Sequence, residues 1–419
     1  MNILIILITI FCCAGAVIIG ILKNKKSAPY FIFGMVWLTI LVVFLMNSGK
    51  WNTISVYSSF VILFGILMFL LSSFLFSHKK IKRNDYFKPD EGYRRVLYIV
   101  LAILTIVSLS ENAISNLQML RNGLNFNDIT IYYLINQQEQ ETGSAIWTAI
   151  SVLLAKPMVY VALPILGLEL FSNKRSKLVV TLSTIIIILN VLQGGKRSMM
   201  IYAIVAICVM YYCRDRHASL SIKLNLRYKM GILVIISIII YGIFWVSSQR
   251  DTDIISSFSA YLSGCIPSMN YRIPLLSKHY YGAGLLHGIL VPLFIGLNFL
   301  GIPYPSWWRT LDILVEAADY VPIAYNDSIN AFNSLFYIPY IDGGIIGVIL
   351  EMILIGIFYG IAYNKLSYNN NTRNRCIYAL LVVGIAGSMY TLYFTQYPFA
   401  LSFFYILLLT STRRKNEYQ

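Results

Sequence analysis

Six cations, Lys196, Arg197, Arg250, Arg272, Lys278 and Arg309, stand apart from the basic clusters of this 419-residue chain and share their surroundings with His279, His287 and Asp342. Arginine offers a planar fork of donors that matches phosphate oxygens, and several cations converging on one point can hold a multiply charged group such as a diphosphate. The phrase QGGKRS at 193–198 places two glycines directly before Lys196 and Arg197. Glycine lets backbone N–H groups come close to a ligand, and a helix starting here directs its positive dipole end at the same anion. The plainer alternative is a tight turn whose cations reach lipid phosphate. His279 and His287 flank a Gly-containing stretch, where an imidazole can act as a general base. Asp342 can orient a catalytic arginine or accept a proton. Asp251 and Asp253 have a spacing that suits a divalent cation beside phosphate, or an ion pair with Arg250.

Hydrophobic residues make up 58% of the chain and charged residues 12%, a balance that excludes an ordinary soluble domain. A membrane span needs about 20 apolar residues to cross roughly 30 Å of hydrocarbon. Eleven stretches qualify, at 2–22, 30–46, 53–76, 96–117, 144–171, 178–192, 199–213, 230–247, 335–362, 377–394 and 399–410. They predict an all-α polytopic membrane protein, a single integral membrane domain over 1–419. Most of the 33 Lys and Arg fall in alternate gaps, at 23–26, 79–95, 174–177, 214–229, 365–375 and 413–415. By the positive-inside rule those gaps face the cytoplasm, the N-terminus lies outside, and the six isolated cations stand on the outer side. The first apolar run precedes its basic cluster, the reverse of a cleavable signal peptide, so it reads as a retained span. Orientation and anionic headgroups account for the net charge of +15 without nucleic acid. The six cysteines lack metal-site spacing and read as packing residues.

The cytoplasmic connections are too short for a nucleotide-binding domain, which argues against an ATP-driven pump. Function is expected to face outward, on the segments 112–143 and 249–334. Within the second, 285–300 (LLHGILVPLFIGLNFL) is apolar but broken by Pro292, and reads as a re-entrant or interfacial helix rather than a twelfth span, because a further crossing would place the basic clusters downstream outside. GIPYPSWWR at 301–309 carries Trp307 and Trp308, suited to the membrane interface. The stretch 310–320 predicts an amphipathic helix with Asp312, Glu316 and Asp319 on one face. Gly343 with Gly347, and Gly356 with Gly360, have the four-residue spacing that permits close helix packing. Lys156 and Glu351 lie roughly 13 to 15 Å below the outer surface at about 1.5 Å per residue. They either pair, or Lys156, beside Pro157, opens into an aqueous cavity and helps to bind the diphosphate.

GGKRS at 194–198 between two spans, and the run 326–347 that leads through YIDGGIIG toward Gly356, resemble the oligosaccharide repeat-unit polymerases of bacterial surface polysaccharides, the Wzy-type O-antigen and capsule polymerases. A large outer loop before the last few spans extends the resemblance over the whole chain. The resemblance implies a GT-C-like glycosyltransferase in the bacterial inner membrane, independent of metal and without a cofactor. It would join repeat units carried on undecaprenyl diphosphate at the outer face, for lipopolysaccharide or capsule. A chain-length regulator and a flippase would be its partners. Family members often carry a basic residue after the broken apolar stretch, and Arg309 stands nearest to that place. On this reading Lys156, Lys196, Arg197, Arg250, Arg272 and Arg309 bind diphosphate, and Arg197, Arg250, His279, His287 and Asp342 are catalytic candidates. The alternatives are an O-antigen ligase, which uses the same carrier chemistry, and a lipid-linked oligosaccharide flippase or transporter.

Overall fold

A computed structural model describes residues 3–79, 92–125, 128–129, 150–172, 175–193, 197–213, 237, 254–317, 319–324, 328–329 and 332–410. The chain is mostly helical. Its helices are α1 (Ile3–Leu22), α2 (Pro29–Met46), α3 (Val56–His78), α4 (Arg95–Arg121), α5 (Lys156–Leu170), α6 (Lys177–Leu192), α7 (Arg197–Tyr212), α8 (Ile254–Ser263), α9 (Cys265–Arg272), α10 (His287–Phe299), α11 (Trp308–Glu316), α12 (Tyr337–Tyr368), α13 (Thr372–Ala386) and α14 (Tyr397–Leu409). Two strands of two residues each, β1 (Val321–Pro322) and β2 (Ser328–Ile329), pair antiparallel between α11 and α12. Among the described residues, six helices are long and apolar enough to cross a membrane, counting α5 with the π-helical turn Ser151–Ala155 before it. Helices α6, α7, α10 and α14 are apolar but shorter. Of the expected span at 230–247 only residue 237 is among the described residues.

The contacts fall into two compact units, one formed by Met1–Asn84, Ile255–Tyr368 and Leu381–Ala400, the other by Asp85–Ile254, Asn369–Leu380 and Leu401–Gln419. The first is organised on α3 and α12. Gly356 of α12 sits against Ser72 of α3, and a Cβ at Gly360 would lie 2.7 Å from that of Phe76. Lower still, Asn364 donates its amide to the carbonyls of Phe76 (3.1 Å) and Lys79 (2.6 Å). Residue numbers rise together along this seam, so α3 and α12 run parallel. Lys79, at the end of α3, shares one end of the unit with Lys23, whose Nζ lies 4.7 Å over the ring of Phe74. At the opposite end, Asn52 donates to the carbonyls of Ile323 and Pro322 in the segment before α12. Phe33 stacks on Phe69 at 4.0 Å, and buried Trp37 donates to Ser388 (3.1 Å).

In the second unit, buried Glu169 at the end of α5 binds Arg95 at 2.9 Å and accepts from the Tyr93 hydroxyl (2.7 Å) and the Ser176 N–H (2.7 Å). Burial, with the Glu169 carboxylate beside it, holds the Tyr93 phenol well above its usual range. Asn116 of α4 donates to the carbonyls of Leu192 and Gln193, satisfying groups that the end of α6 leaves open.

Three expected boundaries move. Helix α4 runs to Arg121, past the expected end of its span at 117 and into the expected outer segment 112–143, and Asn116, buried on α6, is one reason. The stretch 377–394 is not helical throughout, because the chain leaves α13 at Ala386 and offers the carbonyls of Ser388, Met389 and Tyr390 to the N–H groups of Leu335, Ser334 and Asn333. The amphipathic helix ends at Glu316, where Ala317 turns left-handed (φ 44), so Asp319 is off the helix that carries Asp312. At 13 residues α10 is about 20 Å long, short of a full crossing and in keeping with a re-entrant or interfacial placement.

The α3–α12 seam generates a stability prediction. Gly356→Val and Gly360→Val each force side chain into a filled contact, which costs about 1–3 kcal/mol. Both variants are expected to lower the melting temperature of the purified protein. Gly296→Ala, with open space at its Cβ position, is expected to leave it within a degree or so.

Candidate active site

The phrase YIDGGIIG forms a break in α12. Helical geometry stops after Asp342 and resumes beyond Gly344, whose backbone sits at φ 59, ψ −146, a region that strongly favours glycine. A Cβ at Gly347 would run into the Pro339 carbonyl. These two glycines therefore serve the break, while Gly356 and Gly360 serve packing between helices. The interruption frees two carbonyls, and the loop at 279–285 takes both. Tyr280 N–H donates to Ile341 (3.2 Å) and Tyr281 N–H to Asp342 (2.9 Å). The buried Asp342 carboxylate completes the clamp, Oδ1 accepting from Gly284 N–H and Oδ2 from Leu285 N–H, each at 2.8 Å. Gly284 must be small here, since its Cβ would lie 2.9 Å from Oδ1.

His279 hangs from the same break. Its Nδ1 is 3.2 Å from the Ile341 carbonyl. A carbonyl only accepts, so in the neutral ring Nδ1 carries the hydrogen and Nε2 keeps its lone pair. Lys278, His279, Tyr280, Tyr281, Ala283 and Trp307 line a cavity of about 240 Å³. Lys278 is exposed, its Nζ 5.2 Å from the centre of the Tyr280 ring. The arrangement offers a fixed base and a cation at the mouth of one small cavity.

His287 is instead a tether. It is buried, stacked on Trp308 at 5.0 Å, with Nδ1 2.9 Å from the Thr395 carbonyl and Nε2 2.9 Å from Asp312 Oδ1. Both ring nitrogens are committed, so it has no lone pair to offer as a base. Arg272 is likewise withdrawn from the expected diphosphate group. It is buried and donates Nη2 to the carbonyls of Ala317 (3.0 Å) and Asp319 (2.7 Å), holding the chain where α11 ends. Arg309 is exposed on the first turn of α11. Glu351 is buried, with Asp342 as a charged neighbour.

Lys156 belongs to the second unit and is exposed at the first position of α5. Its N–H bonds back to the Ser151 carbonyl, the five-residue step of the π-turn that precedes Pro157. Arg197 is the first residue of α7. Lys196, Arg250, Asp251 and Asp253 lie outside the described residues, as do Asn326, Asp327 and Asn330.

Sequence reasoning passed over Tyr281 and Glu169. Tyr281 sits at φ 51 and is 90% exposed. Its only sequence signal is the following Gly282, which marks a turn. Glu169, a lone acid at the end of an apolar run just before the cations 174–177, was visible as a charge needing a partner.

The clamp is testable without any substrate. In Asp342→Asn one oxygen becomes an amide, which cannot accept from Gly284 or Leu285 and leaves a buried N–H unpaired, at about 1–3 kcal/mol. Hydrogen exchange at 280–285 is expected to quicken by roughly tenfold or more, with exchange along the α3–α12 seam unchanged.

Comparison with protein-family models, curated proteins and solved structures returns no match for this chain. What the site can do is therefore argued from its own residues.

Proposed function

We propose that this protein is a membrane glycosyltransferase that polymerises lipid-linked oligosaccharide repeats for a bacterial surface polysaccharide, working at the outer face of the cytoplasmic membrane. The observation that carries this reading is the Asp342 clamp. It joins the YIDGGIIG phrase of the resemblance to the loop bearing Lys278 and His279, so two distant stretches of sequence build one site. The lysine-bearing end of the first unit lies away from that loop, which supports an outward-facing site.

In the proposed reaction His279 Nε2 takes the proton of a hydroxyl on the non-reducing sugar of a new repeat. That oxygen bonds to the first carbon of the growing chain, and the bond from this carbon to undecaprenyl diphosphate breaks. The diphosphate leaves with the electron pair. Negative charge then develops on the leaving group, and fixed cations aimed there lower the barrier. The resemblance proposes Lys196, Arg197 and Arg250 for this role, with Lys156 and Arg309 as further candidates. Asp342 acts by holding the loop.

A second reading has one observation in its favour. A span interrupted by glycines beside two buried acids, Asp342 and Glu351, is also a device of transporters. The glycan profile of a deletion strain separates the possibilities. Accumulated single lipid-linked repeats are expected for the polymerase. Full-length polymer left on its carrier points to the ligase, and repeats trapped on the cytosolic side point to the flippase or transporter.

Substitution sharpens the test. Arg197→Ala is expected to abolish polymer at normal protein level, and failure of Arg197→Lys to restore it marks fork geometry rather than charge alone. His279→Gln is expected to lower kcat by about 10²–10⁴-fold with KM little changed, measured on purified lipid-linked repeat. Wild-type polymer from Arg197→Ala would overturn the diphosphate assignment.

A further inference from the structure

Trp307 is 37% exposed and Tyr281 is 90% exposed, both on one small cavity. Aromatic surface left open beside polar groups marks a place where something binds. Tyr281 is also held in a left-handed conformation, at φ 51, which a bulky side chain rarely adopts. Its N–H, bonded to the Asp342 carbonyl at 2.9 Å, keeps it there. The fold thus holds an exposed ring in a strained position.

Size and charge narrow the occupant. At about 240 Å³ the cavity falls below the roughly 300–1,000 Å³ of pockets for drug-sized ligands, which fits one sugar ring rather than a whole oligosaccharide. Aromatic faces suit the C–H face of a pyranose, and His279 Nε2 offers an acceptor for a hydroxyl. Among the described residues, six line the cavity, two of them basic, Lys278 and His279, and none acidic. Nothing in this described lining repels a negative charge. Lys278, over the ring of Tyr280, supplies a positive one.

We propose that this cavity is a subsite for a single pyranose bearing an anionic substituent, stacked on Tyr281 and Trp307 and paired through that substituent with Lys278. Resting on the polymerase reading, it makes the ring the acceptor sugar of the incoming repeat, and its selectivity makes acidic repeat units the preferred substrate.

The test is binding, which needs no turnover. Methyl glucuronide and methyl galacturonide are titrated against the matching neutral glucoside and galactoside, using full-length protein in lipid nanodiscs and saturation-transfer NMR. Glycerol phosphate is the competitor that represents a lipid headgroup. At least one uronide is expected to bind about tenfold or more tightly than its neutral partner, a difference of about 1.4 kcal/mol. Lys278→Met should erase that preference and Lys278→Arg should keep it. Tyr281→Ala should weaken uronide and neutral sugar together, with all variants eluting as monodisperse protein. Equal binding of acidic and neutral sugars, or a preference that survives in Lys278→Met, overturns the proposal. Displacement of the uronide by glycerol phosphate at equal concentration overturns it too, by making the site one for lipid phosphate. The deletion strain answers separately. If it makes normal polymer while the uronide still binds, the polymerase reading fails and the subsite stands. If polymer is lost but no uronide binds, the subsite fails alone.

Discussion

A helix that stops inside a membrane-sized span must hand its open backbone groups to something else, and in this protein one carboxylate organises the transfer. Beyond Asp342 the ladder of α12 is interrupted, leaving carbonyls that have no helical partner. In an apolar surrounding each such group costs several kcal/mol unless it is paired. The loop at 279–285 pairs them, with two backbone N–H groups, the His279 ring and two further N–H groups on the Asp342 side chain. The same bonds that make the break tolerable fix the orientation of the histidine. Satisfying the backbone and orienting His279 are one event.

Much of the frame was legible in the sequence, for a simple reason. Lipid imposes length and polarity on a span, and translocation imposes charge on its flanks, so apolar runs and lysine clusters mark helices and their ends. Helices α1, α2 and α3 fall within a few residues of their expected bounds. Gly356 and Gly360 were read as packing residues and do pack, against α3.

The failures have a common cause. The depth of Glu351 was counted from Asp342 at a constant helical rise, and the break at Gly343–Gly344 invalidates that count. Asp319 was put on a helix face by periodicity, and Ala317 ends the helix first. His287 looked like a base because the sequence does not show Thr395, 108 residues away, accepting from its Nδ1. Periodicity reads neighbours along a regular element. It cannot see where the element stops or what returns from a distant part of the chain.

The two walls of the aromatic cavity are tied to different supports within the first unit. Residues 278–283 hang from the carbonyls and carboxylate at the break in α12. Trp307 precedes α11, which is anchored by Asp312 on His287 and by Trp308 against both His287 and Phe294 of α10. His287 in turn holds the carbonyl of Thr395, and Gly288 lies directly against that of Phe394, an approach that leaves no room for a side chain. A constellation holds its geometry only if its supporting shell is itself fixed. Here the shell consists of buried hydrogen bonds on both sides, while the groups facing the cavity stay open. Rigidity is placed behind the site and exposure in front of it, the division expected of residues meant to meet a ligand rather than one another.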